Sequence, residues 1–347
     1  MSIALDAGVR RMRSLYQSGD RLLGRCCRAE YLLLDDVEPM RKLIDRIEIP
    51  HARCEDALVL MGDTAADLAP VFGTPCLSLF PNGKIPRDNP PARQILAALI
   101  EGLLPEPSDR DEVCCLTIPG NPTGDQGTFG HEYKFLTHLV SLRGYAPLVA
   151  TSSMSLVLAE LAADSFTGIG FELGAGSCCA SLSHRGIEIA HVSVPVSGDW
   201  IDTELARREE EYAWDRHGKR HLDTHSAARW KESIAGTVLQ PSNDREQFLA
   251  ELIRELVAYV IEAAAAEFAR AIKTKPIRDR VPIVLGGGTS RLPGFAALFE
   301  QALSATSFPL STGEIRLSGD PKYTVARGSL IRAELESQSR AASRSAA

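Results

Sequence analysis

The sequence predicts an α/β protein built as two related halves around a cleft. Three observations carry that expectation. The chain has 347 residues, beyond the ~250–300 at which a single hydrophobic core stops growing. Apolar runs of strand length alternate with helical stretches through the first half. A pattern of strand, acid, glycine turn, strand, turn and strand begins at residue 2 and returns at residue 169, an internal repeat of architecture.

The elements follow in order. Ser2 to Asp6 is an apolar strand closed by the turn Ala7-Gly8, and Gly19-Asp20 marks a second turn, so residues 1–35 read as short strands. Glu30 to Leu34 is a further strand, and Val37 to Ile47 a short helix behind the Asp35-Asp36 cap. Ala57 to Gly62 is a strand, with a helix from Asp63. Pro75 to Pro91 is irregular, with a turn at Pro81-Asn82-Gly83. Pro91 to Leu104 reads as a helix with proline just inside its start. Val113 to Pro119 is a buried strand that opens into a glycine-rich loop, Gly120 to Gly130, where Asn121, Asp125 and Gln126 can line a pocket or simply turn the chain. A helix from His131 to Arg143, a strand from Pro147 to Ala150 and a helix from Ser152 to Asp164 complete the first half.

The second half opens with strands at 168–173, Cys178 to Ser183 and Ile187 to Pro195. Asp244 to Lys273 is a long amphipathic helix, because Leu249, Leu256, Val260 and Phe268 recur on one face. Val281 to Leu285 is a strand running into three glycines. A last helix covers Ala326 to Glu334, and Ser337 to Ala347 lacks apolar periodicity, which predicts a disordered tail.

Charge and composition exclude several classes. The 45 acidic and 38 basic residues give a net charge of -7, which opposes broad binding to nucleic acid or anionic lipid. No apolar stretch reaches the ~18–20 residues of a membrane span. Met1 to Asp6 lacks a basic leader region, so a cytoplasmic protein is expected. Six of the eight cysteines lie in the adjacent pairs Cys26-Cys27, Cys114-Cys115 and Cys178-Cys179. Strand neighbours point to opposite faces, so these read as small buried hydrophobes in a reducing compartment. His217, His221 and His225 would share one face of a helix, but Gly218 argues against a helix there, and a metal site is the minor reading.

Three loops carry chemistry. Gly286-Gly287-Gly288 follows a buried strand and precedes Thr289-Ser290-Arg291 and a helix start near Pro293. Glycines let the backbone approach a flat or charged ligand, and a helix N-terminus offers unpaired N–H groups. This suits a nucleotide, although no Gly-Lys-Ser/Thr follows to make it a Walker A loop. Glu172-Leu173-Gly174-Ala175-Gly176-Ser177 is a hairpin of small residues fit to form an anion nest, and Glu172 can hold a hydrated Mg²⁺ or stand as an ordinary exposed acid. Asp6-Ala7-Gly8-Val9-Arg10-Arg11 is the matching first turn. Asp6 can orient a metal-bound water or cap the turn, and Arg10 and Arg11 can pair with phosphate or face solvent.

Together these loops resemble the actin/Hsp70/sugar-kinase superfamily, and within it the bacterial actin-like proteins of the MreB and magnetosome-filament type, over about Ile3 to Leu335. Asp6-Ala7-Gly8 resembles the first phosphate loop and Glu172 to Ser177 the second. Gly198-Asp199-Trp200-Ile201-Asp202-Thr203-Glu204-Leu205 is similar to the family's segment opening the next helix. Arg229 to Ala235 resembles the helix near ribose and base, which implies a place there for Lys231 and Glu232. Gly286 to Gly294 is similar to the adenosine loop, with Arg291 beside it, and Asp320-Pro321 with Val325 to Gly328 resembles the closing segment. The resemblance implies an actin-like ATPase fold of two ribonuclease-H-like domains around a cleft for ATP or ADP with Mg²⁺, and it implies hinge motion. It places a first domain at 1–165 with a small subdomain within 30–90, a second at 166–325, and a helix at 326–336 returning to the first. Self-association into filaments or a protein partner is implied as well; a small-molecule kinase and a non-hydrolysing scaffold remain alternatives.

The sequence departs from that pattern in three places. Val9-Arg10 stands where a compact hydroxyl-bearing pair is expected, Glu172 replaces an aspartate, and Thr151-Ser152-Ser153-Met154 lacks the acid expected to position water. Ser152 is left as the catalytic candidate beside Asp6 and Glu172, and a serine hydroxyl is a poor general base at neutral pH.

Overall fold

A computed structural model describes residues 2–54, 56–109, 112–118, 120, 130–215, 218–272 and 280–345. Asn121, Asp125, Gln126, His217 and Lys273 lie outside the described residues. In the first half, β1 (Ile3–Ala7), β2 (Arg11–Ser18) and β3 (Arg21–Arg28) form an antiparallel meander. The chain then builds β4 (Glu30–Asp35), α1 (Glu38–Arg46), β5 (Ala52–Cys54), β6 (Ala57–Met61), α2 (Asp63–Phe72) and β7 (Leu77–Ser78). These strands make a separate sheet in the order β5-β6-β4-β7, over its own apolar centre of Leu32, Ile44, Leu58 and Leu60.

After α3 (Pro90–Leu103), capped by the Asn89 side chain on the Ala92 N–H, β8 (Val113–Thr117) adds parallel to β1. Beyond α4 (His131–Leu142), β9 (Ala146–Ala150) adds parallel to β8. Helix α5 (Ser152–Glu160) follows, capped by the Thr151 hydroxyl on the Met154 N–H. It stops at Glu160, short of the expected Asp164, and the chain turns towards the next strand through Ser165 and Phe166, with φ of 53° and 54°.

The second half repeats this plan. Strands β10 (Gly168–Leu173), β11 (Cys178–His184) and β12 (Ile187–Val194) form the meander. Then come α6 (Gly198–Arg208), the ribbon β13 (Tyr212–Trp214) and β14 (Arg220–Leu222), α7 (Thr224–Ser233) and α8 (Asp244–Ala271). Parallel strands β15 (Val281–Gly286) and β16 (Thr312–Leu317) flank α9 (Phe295–Ala305), and α10 (Thr324–Ser345) closes the chain. The main sheets have the orders β3-β2-β1-β8-β9 and β12-β11-β10-β15-β16. Each position of one has its counterpart in the other, so the repeat expected from the sequence is a repeat of topology. The apolar face of α8 packs on β11 and β12 as its periodicity predicts, with Leu249, Ile253, Leu256 and Val260 buried.

Two helices exchange places. Helix α5 comes from the first half yet packs on β10, β11 and β15, whereas α10 ends the second half and packs on β1, β2 and β8. They meet at Gly328, where a Cβ would collide with the Ser155 carbonyl, and Ser155 Oγ lies 3.0 Å from Ser329 Oγ.

Three expectations need correction. Helix α10 continues through Ser345 where a disordered tail is expected from Ser337. Its Ala-, Glu- and Arg-containing sequence is good helix material, and it is extended from a packed turn at Leu330 and Ala333. Arg340 bonds Glu336 at 2.9 Å, one turn back, and Ser337 Oγ lies 3.0 Å from Ser2 Oγ. His221 sits on a strand with its Nε2 2.8 Å from Asp215 Oδ2, so no helix aligns it with His225. The eight cysteines are free, but only Cys114, Cys115, Cys178 and Cys179 are buried and the others are half-exposed. No helix among the described residues is long and apolar enough to cross a membrane.

Candidate functional site

A cavity of about 570 Å³ opens between the two main sheets, within the range of small-molecule sites. Its walls are the β1–β2 turn, the β10–β11 turn, the end of β15, and residues of α5, α6 and α7. The candidates from the three loops, the start of α5 and the helix near Lys231 line it: Asp6, Gly8, Arg10, Ser152, Glu172, Gly174 to Ser177, Lys231, Glu232, Gly286 to Gly288, and Arg291. Loops far apart in the chain converge because the two meanders are placed alike, each with its first turn at the same end of its sheet.

At the floor stand two acids. Asp6, at the end of β1, accepts from Thr117 Oγ1 at 2.9 Å and from Arg13 Nη1 at 3.1 Å. Arg13 faces it directly across the hairpin. Glu172 occupies the matching end of β10. Burial pushes its carboxyl up to about 8, the charge of Asp6 adds to that, and Arg13 and a hydrogen bond from Ser152 oppose it. Two acids sharing a poorly solvated site favour a cation between them. Among the described residues no three His, Cys, Asp or Glu side chains form a metal cage. The donor set therefore fits a hard cation that keeps most of its waters, as Mg²⁺ does, and fits poorly any ion that demands an all-protein shell.

The turns differ in detail from expectation. Gly174 N–H closes its own hairpin on Ser177 O at 3.1 Å, so it is not free for the ligand expected of it. The N–H groups of Gly198 and Asp199 donate to the carbonyls of Gly174 and Ala175 at 3.0 and 2.8 Å, which docks the start of α6 on this turn. Gly287 has φ of 85°, and a Cβ there would strike the Leu173 carbonyl. Only glycine lets β15 end that close to the second turn. A short 3-10 turn, Thr289–Arg291, follows the glycines, and α9 begins only at Phe295. Its N-terminus is thus separated from the glycines by residues 289–294 and does not follow them directly.

The cations are largely committed within the protein. Arg291 spends Nη2 on the carbonyl and hydroxyl of Ser318. Lys231 is buried, its ammonium 2.9 Å from Gly198 O and 2.6 Å from Asp202 Oδ1, so its first role is to tie α7 to α6. Removing one partner of a buried pair strands the other. Lys231→Met should therefore lower unfolding free energy by about 3 kcal/mol, read as a lower urea midpoint; an unchanged midpoint would show that Arg10 alone satisfies Asp202. Arg10 reaches three carboxylates, Asp199, Asp202 and Glu30, where the sequence reading pairs it with phosphate.

Ser152 opens α5 with its Oγ 3.1 Å from Cys179 Sγ and beside Glu172. It adds a hydroxyl to the cavity and no general base. Sequence reasoning missed Arg13, Thr117 and Asp202 as site residues. Arg13 had a usable signal, since a basic residue one hairpin register across from an acid is a cross-strand pair. Asp202 lay inside the Gly198 to Leu205 segment already noticed, but its partner Lys231 is distant in sequence.

The fold matches solved structures over nearly its whole length. A structure of the MamK double helical filament aligns with a TM-score of 0.67 and 16% identity, covering 96% of this chain and 99% of that one. MreB 5 of Spiroplasma citri bound to AMPPNP aligns at 0.65 and 14%, covering 98% of each chain. The ethanolamine utilization protein EutJ from Carboxydothermus hydrogenoformans aligns at 0.51 and 17%, covering 95% of this chain and 89% of that one. At such identities the likeness is one of fold, and the fold is the actin-like ATPase fold. No curated protein matches the chain by sequence. A family model described as Volactin matches residues 1–333.

Proposed function

The chain belongs to the Volactin family, and from that premise we propose that it is an actin-like protein that binds ATP or ADP with Mg²⁺ in the cleft, turns ATP over slowly, and couples cleft state to self-assembly. The observation that carries this reading is the convergence of two acid-tipped turns and a triple-glycine loop on one cavity. Similar folds are known with AMPPNP and ADP bound and as a filament.

Asp6 and Glu172 would hold the hydrated Mg²⁺, which when bound supplies charge neutralisation for the phosphates. Ala175 and Gly176 would offer backbone N–H groups to the phosphates, and Arg13 adds a guanidinium next to Asp6. Gly287 and Gly288, with Glu232 and Ile234, line the same cavity and would contact the nucleoside. Ser152 orients a water by hydrogen bonding but does not take its proton at neutral pH. Catalysis then rests on positioning and electrostatics alone, which is why slow turnover is expected. Titration with ATP in the presence and absence of Mg²⁺, with phosphate release followed in parallel, tests the proposal. Mg²⁺-dependent binding with release far slower than one per second is the expected result; no binding at millimolar ATP would overturn it. Sedimentation with and without ATP reads the assembly step.

A further inference from the structure

The first turn departs from the expected hydroxyl-bearing sequence at Val9 and Arg10, and both side chains have partners in the other half. Val9 is buried in the first-half core, against which Ala175 of the second half also packs. A Cβ on Gly176 would collide with Val9 and lie 3.0 Å from the Cα of Gly83. Three turns therefore meet at one seam: the first turn, the second, and the short one at 81–83. Gly83, with φ of 72°, has its own Cβ position 2.9 Å from the Gly176 carbonyl, so the seam closes backbone to backbone.

Arg10 crosses the same seam with its charge. Its Nε lies 2.8 Å from Asp199 Oδ1 and its Nη2 3.2 Å from Asp202 Oδ2, both on α6 of the second half. Its Nη1 lies 3.3 Å from Glu30 Oε1, within the first half. Asp202 and Glu30 are 3% and 4% exposed, so water cannot replace Arg10 for them. Valine has no donor to offer a phosphate, and the guanidinium is already held by three carboxylates.

We propose that Val9 and Arg10 turn the first loop into a clasp between the halves, and that breaking this clasp sets how fast a nucleotide leaves the cleft. The ligand in this statement rests on the function proposed above; the clasp rests on the contacts alone. A phosphate-binding Arg10 and a clasping Arg10 differ in what Asp199 does. In a clasp, Asp199 holds the cleft shut. In a phosphate site, Asp199 competes with the ligand for Arg10.

The test is the release of a fluorescent ADP analogue with Mg²⁺ from the full chain, compared with Arg10→Ala and Asp199→Ala. The clasp predicts faster release in both variants, by about tenfold for the loss of one such tie. Faster release in Arg10→Ala with slower release in Asp199→Ala would overturn it. Hydrogen exchange of the nucleotide-free protein gives a second reading: Asp199→Ala should speed exchange at residues 8–11 and 198–203, and unchanged exchange there would overturn the clasp even if the chain binds no nucleotide. Asp199 is 25% exposed, so its variant carries the decision; Arg10→Ala also leaves Asp202 to Lys231 and Glu30 to Arg28 and is read beside it.

Discussion

Glu172→Gln will raise the melting temperature of the nucleotide-free protein at pH 9 and cut its Mg²⁺-dependent nucleotide affinity by ~10–100-fold. The two effects share one cause. Glu172 is half-buried in the cleft beside Asp6, and desolvation with the Asp6 charge lifts its carboxyl from 4.5 to about 8. The folded state thus binds that proton more tightly than the unfolded chain does. The contribution of this group to stability is then greatest below about pH 4.5, falls as pH rises to about 8, and is level above that. Glutamine does not titrate, so the gain of the variant over the parent should be widest at pH 9 and close towards pH 4.5. The same amide carries no charge for a hydrated cation, so affinity drops as stability rises. A variant that melts no higher at pH 9 than the parent would show that Glu172 is solvated. A variant whose affinity keeps its Mg²⁺ dependence would remove Glu172 from the metal site.

Gly328→Val should cost about 3 kcal/mol of unfolding free energy. Helix α10 crosses α5 at this glycine, and even a Cβ would fall on the Ser155 carbonyl. Since the obstacle is backbone, the helices must separate, and the Ser155–Ser329 contact goes with them. Gly102, exposed on α3 with nothing near its Cβ position, is the control: Gly102→Ala should stabilise by about 0.5–1 kcal/mol through helix propensity. Urea midpoints distinguish the two, and equal shifts would contradict the close helix crossing.

Much of the fold was legible because its signals are local. A strand ending in an acid and a glycine turn announces itself within ten residues, and it occurs twice. The α8 stripe is visible for the same reason. What escaped depends on partners far along the chain. Arg10 reads as a phosphate contact until α6 brings Asp199 to it across 189 positions. Lys231 reads as a ribose neighbour until Gly198 and Asp202 claim its ammonium. The β13–β14 ribbon and the last turns of α10 escaped because short polar segments carry no periodicity strong enough to declare a partner.

The exchange of α5 and α10 bears on how the chain is made. The first sheet is complete once β9 leaves the ribosome, yet the face that α10 covers, including Ala4, Leu15 and Cys115, waits for residues beyond 324. Through roughly half of translation that surface is open to other nascent chains and to holdase chaperones. A ribosome stalled near residue 320 should therefore display a protease-sensitive first half that becomes resistant only when α10 emerges.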